Sequence, residues 1–167
     1  MRAFLRLSLI AFLAMQGECR GQISAPVERK LFLGLGLGLD HGGAGLRLDG
    51  RITRHVGLFA GVGAAFSAVG FNAGVHGRIL PTSRLCPYVT AMYGFNAEAS
   101  GFEENKLYYG PSFGAGVEWR SRDKANFFRI GALIPVRSEE AQEVSESADF
   151  PFWPVLPTFG WHFPIGK

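Results

Sequence analysis

The stretch Leu31-Phe32-Leu33-Gly34-Leu35-Gly36-Leu37-Gly38-Leu39 has leucine at every odd position and, after Phe32, glycine at every even one. A period of two marks an extended strand, because successive side chains point to opposite faces. One face is then all leucine and the other is almost bare backbone. Glycine weakens a strand, so a half-glycine strand needs a reason. A narrow membrane barrel supplies one. Leucine meets lipid, and glycine leaves room for long side chains of other strands to fill the lumen.

Outward from this segment, placed at Lys30 to Asp40, seven more alternating segments follow. Ala44 to Thr53 sets Leu46, Leu48 and Ile52 against Arg47, Asp49 and Arg51. Val56 to Phe66 sets Val56, Leu58, Ala60, Val62 and Ala64 against Gly57, Phe59, Gly61 and Gly63. Val69 to Leu80 alternates Val69, Phe71, Ala73, Val75 and Ile79 with Gly70, Asn72, Gly74, His76 and Arg78. Cys86 to Asn96 has Val89, Ala91, Tyr93 and Phe95 as its outer face. Leu107 to Arg120 opposes Tyr109, Phe113, Ala115, Val117 and Trp119 to Ser112, Gly114, Gly116, Glu118 and Arg120. Ala125 to Val136 turns Phe128, Ile130, Ala132 and Ile134 outward and Arg129 and Gly131 inward. Leu156 to Ile165 turns Phe159, Trp161 and Phe163 outward and Thr158, Gly160 and His162 inward. Most of these segments reach the roughly 9–11 residues that a tilted strand needs to cross a bilayer.

The connections sort by length and charge. Thr53-Arg54-His55, Pro81-Thr82-Ser83-Arg84 and Ser121-Arg122-Asp123-Lys124 are short and net basic. Ala97 to Lys106 and Arg137 to Pro154 are long, and the latter carries Glu139, Glu140, Glu143, Glu146 and Asp149. Short turns at one end and long loops at the other is the outer-membrane pattern, with short turns periplasmic.

The first residues agree with that location. Arg2 and Arg6 precede the apolar run Leu7 to Met15, and Gly21 offers a small residue at a cleavage point, so residues 1–21 are read as a signal peptide and 22–167 as the barrel domain. Lipidation at Cys19 is the rival reading, disfavoured by Glu18 and Gln16 beside it. The leader holds a net +2 of the chain's +3, so the mature chain is close to neutral and gives no footprint for nucleic acid. It retains one cysteine, Cys86, and so has no internal disulfide.

From Gln22 onward the chain resembles the small eight-stranded outer-membrane barrels of the OmpA/OmpX type, and in style the broad family of uncharacterised outer-membrane β-barrel proteins. Thr158, Gly160, Phe163 and Ile165 also resemble the C-terminal β-signal, although Gly166 and Lys167 extend past it. The resemblance implies an eight-stranded antiparallel up-and-down transmembrane barrel in the outer membrane of a Gram-negative cell. It also implies outer-membrane lipid and the barrel assembly machinery as partners. It carries no specific activity, since this architecture hosts many.

Candidate chemistry is concentrated inside. Arg47, Asp49, Arg51, Arg78, Glu118, Arg120 and Arg129 all fall on the lumen face. An eight-stranded lumen is filled by side chains, and buried charges there must pair. A charged network plugging the barrel is the expectation, with a narrow, porin-like pore for ions or small solutes as the alternative. Loss of Asp49 or Glu118 would strand buried guanidinium groups. His76, His162, Ser112, Asp49 and Glu118 hold the residue types of a hydrolytic triad, but all face inward, away from a lipid substrate, so no enzyme is expected. The glycines of Gly34-x-Gly36-x-Gly38 lie within a strand rather than between strand and helix, which excludes a nucleotide loop. The acidic loop lacks the ligand spacing of a cation site, so no metal or other cofactor is expected. Glu139, Glu140, Glu143, Phe150, Phe152 and Trp153 form the candidate surface for an extracellular partner, with an aromatic membrane girdle as the competing reading of the last three. The chain is read as a monomer. A soluble lipid-carrying barrel is the third option, opposed by the polar inner faces.

Overall fold

The computed structural model describes residues 30–65, 68–100, 105–121, 126–137, 139 and 153–166. The segment 1–21 expected to be a signal peptide, Glu140, Glu143, Phe150 and Phe152 lie outside them. Eight strands form a closed antiparallel barrel in chain order: β1 (Leu31–Gly38), β2 (Gly43–Arg51), β3 (Val56–Ala65), β4 (Ala68–Arg78), β5 (Leu85–Ser100), β6 (Asn105–Arg120), β7 (Phe127–Pro135) and β8 (Leu156–Pro164). The seam between β1 and β8 runs from Phe32 opposite Pro164 to Leu37 opposite Phe159.

Alternation decides which way each side chain points. Every strand presents large apolar side chains outward, among them Leu35, Leu46, Leu58, Phe71, Val89, Phe113, Ile130 and Phe159. Cross-strand partners link them into a belt. Leu35, Leu46, Val62 and Phe71 follow one another on successive strands on one side, and Leu37, Phe159, Ile130 and Val117 on the other. The inner faces carry glycine, charge and a few aromatics, so the usual distribution of a soluble barrel is inverted.

The first strand is shorter than its sequence suggests. Leu39–His41 leaves the sheet as one turn of 3-10 helix and folds into the lumen, burying all three residues. Asp40 is therefore not in a strand, and Leu39 does not continue the outer leucine face. It packs inside with Phe59, Ala65, Met92, Phe95 and Leu133. Gly42 closes this turn in the left-handed region (φ 71°), where a side chain is strained, and its N–H bonds Leu39 O at 2.9 Å.

The inward turn explains the missing side chains around it. A Cβ on Gly61 would collide with the Asp40 carbonyl, and one on Gly63 would sit 2.5 Å from the His41 carbonyl. Gly36 and Gly160 leave room for the His41 ring, and Gly34 for that of His162. The glycines of β1 thus do admit side chains from elsewhere, as Gly57 of β3 does for the His76 ring, but Gly61 and Gly63 of β3 admit backbone.

A second departure is at Phe95, which alternation places outside. A register shift between Phe95 and Ala97 in the β5–β6 ladder turns Phe95 inward, where it is 6 % exposed. Beyond this bulge β5 and β6 run on as a pair with no flanking strand among the described residues, because β4 meets β5 only from Asn72/Gly94 onward and β7 meets β6 only from Ser112/Pro135. Both strands are 16 residues long, against 8–11 for the others.

Candidate functional site

The lumen holds the sequence-predicted charges, and β-strand alternation delivers each of them inward. Arg47 and Asp49 sit two apart on β2, so they share a face and meet directly. Arg47 Nε donates to Asp49 Oδ2 and Nη2 to Asp49 Oδ1, both at 3.0 Å, a two-pronged pairing. On the opposite wall Glu118 of β6 faces Arg129 of β7 in register, and Arg129 Nη2 donates to Glu118 Oε1 at 2.5 Å. Arg129 also reaches across the lumen, donating from Nη1 to Asp49 Oδ1 at 3.2 Å. Arg120 Nη2 donates to Glu118 Oε2 at 3.0 Å.

The chain of pairs extends one step beyond the expected set. Arg47 Nη1 donates to Asp40 Oδ2, Thr158 Oγ1 donates to Asp40 Oδ1, and His41 Nδ1 lies 2.9 Å from the same oxygen. The result is an alternating series: Asp40, Arg47, Asp49, Arg129, Glu118, Arg120. Three carboxylates and three guanidiniums balance, and all but Arg120 are essentially buried. Such a series meets the condition for burying charge, which is that each ion finds a partner and further hydrogen bonds.

Aromatic rings pad it. Arg47 lies 3.6 Å over Phe59 and Arg129 lies 4.8 Å over Tyr88. His162 stacks on Phe127 with centroids 4.5 Å apart, and its Nε2 lies 3.1 Å from Asp49 Oδ2. His76 Nδ1 is 3.5 Å from Asp49 Oδ1.

Two predicted members stand apart. Arg51 rests over Phe32 at 4.0 Å, and Arg78 donates from Nη2 to Thr53 O at 3.2 Å; neither makes an ion pair among the described residues. The triad residue types do not assemble either. The Ser112 hydroxyl has no hydrogen-bond partner among the described residues, so neither His76 nor His162 engages it. Of the C-terminal motif, Thr158 and Gly160 point into the lumen, Phe163 faces out, and Ile165 N bonds Leu31 O at 3.0 Å just past β8. On the long loop, Glu139 and Trp153 are exposed, Trp153 to 67 %.

Asp40, His41 and Thr158 were not legible as members of the network. Asp40 and Thr158 are 118 residues apart in sequence and meet only because the turn dips inward as β8 closes. The Gly42-Gly43 pair is the one local signal, since such a dipeptide marks a turn and so an earlier strand end.

No protein-family model matches this chain, and no curated protein does.

Proposed function

We propose that this protein is an integral outer-membrane β-barrel with a structural or surface-interacting role and no catalytic activity, its lumen closed by the charged series and the inward turn. The observation that carries this reading is the inversion itself. Apolar side chains ring the outside on all eight strands, while Arg47, Asp49, Glu118 and Arg129 are buried within. In water such a belt is an aggregation surface; in hydrocarbon it is what a spanning barrel requires, with every strand paired on both sides and no open edge. The surface role rests on the long-loop end, where the β5–β6 pair projects and Trp153 is exposed.

A narrow pore for ions or small solutes is the second reading, favoured by inward arginines outnumbering carboxylates. The 3-10 turn opposes it by filling the passage with Leu39, Asp40 and His41. Planar-bilayer recording of the refolded full chain separates the two. Silence from protein shown to be inserted is the expected outcome. Stable unitary steps would transfer the reading to the pore, and solubility without detergent would remove the membrane altogether.

A further inference from the structure

Three inward arginines end the three even-numbered strands that lead into short turns: Arg51 ends β2, Arg78 ends β4 and Arg120 ends β6. They therefore gather at one mouth of the barrel. Arg120 belongs to the balanced series through Glu118, whose second oxygen is taken by Arg129. Among the described residues, Arg51 and Arg78 are left as two cations in excess.

Their donors are largely unused. Among the described residues, Arg78, 4 % exposed, gives one hydrogen bond to Thr53 O, and its Nε has no partner. Arg51 is half-buried and stacked over Phe32, with Phe127 5.5 Å away. Stacking occupies the face of a guanidinium, whereas its five N–H donors lie in the plane, and Arg51 makes no hydrogen bond with them among the described residues. A buried charge without an ionic partner is costly, so Arg78, beside the half-exposed Arg51, leaves the described fold short of an anion here. Planar guanidinium forks match the oxygens of a phosphate, and a dianion matches the excess of two. Chloride offers neither geometry nor charge.

We propose that the short-turn mouth is a binding site for one phosphate-type oxyanion, held between Arg51 and Arg78. The shared chemistry is a phosphate group, free or carried by a lipid. The full chain, refolded in zwitterionic detergent, is titrated with inorganic phosphate against chloride at matched ionic strength and followed by calorimetry and unfolding midpoint. Phosphate binds saturably at one site and raises the midpoint. Arg51→Gln and Arg78→Gln each weaken binding at least tenfold, while Arg84→Gln on the neighbouring turn leaves it unchanged. Arg51→Gln removes no carboxylate partner and decides the matter even where Arg78→Gln does not refold. A second arm compares phosphatidylcholine bilayers doped with phosphatidic acid, whose phosphomonoester can carry two charges, with bilayers of phosphatidylcholine alone. Stabilisation there alone, lost in Arg51→Gln, assigns the site to a lipid phosphate. No response in either arm, or an equal response in Arg51→Gln, overturns the site.

Discussion

The two halves of the lumen solve the same packing problem in different ways. Toward the long loops the space is filled by the chain's own backbone, the turn Leu39–His41, capped by an apolar cluster of Leu39, Phe59, Met92, Phe95 and Leu133. Toward the short turns it is filled by side chains alone, with Arg51, Arg78 and Arg120 among Phe32, Phe127 and Tyr88. In the first half the buried charge, Asp40, is paired internally, and the second keeps an excess of cationic donors. Asp49 and Arg129 join them, since that cross-lumen pair connects the β2 side of the series to the β6–β7 side. A lumen can thus be closed at its centre and still carry an open chemical demand at one mouth.

The comparison is broken most severely at its junction. Asp49→Ala leaves Arg47 and Arg129 buried without their shared partner, and a loss of about 3–5 kcal/mol is expected, read as a lower urea midpoint of the refolded barrel. An unchanged midpoint would show that the series contributes nothing to stability. Gly61→Ala attacks only the backbone-filled half. Its Cβ meets the Asp40 carbonyl, so the turn must shift, at a cost of about 1–3 kcal/mol by the usual scale of overpacking. Gly50→Ala is the matched control on β2. A Cβ there has nothing nearer than Leu58 O at 4.0 Å, so the midpoint should move by less than about 0.5 kcal/mol. Equal effects at Gly61 and Gly50 would mean that the inward turn does not fill the lumen in solution.

Much of this was readable from the residues, for a physical reason. Alternation is local, so the inner and outer faces of β2, β3, β4, β6, β7 and β8 follow from period two, and with them the inward position of every arginine in the network. What escaped was non-local. Leu39 continues the leucine pattern, yet burial with Phe59 and Leu133 and the left-handed Gly42 pull it out of the sheet. Phe95 obeys alternation up to a bulge that no neighbouring residue announces. Arg51 and Arg78 carry the same sequence signal as Arg47 and Arg129, and only the pairing geometry separates them.

The seam between β1 and β8 gives the inward turn a consequence in time. β8 supplies Thr158 to Asp40, His162 to the edge of Asp49, and the bare backbone of Gly160 beside the His41 ring. Until that strand is in place the turn has no wall on one side and Asp40 lacks its hydroxyl donor. Closure of the sheet and completion of the interior are therefore a single cooperative event. A barrel open at its last seam is deficient in ladder hydrogen bonds and in its centre at once, which leaves little to stabilise a half-closed intermediate.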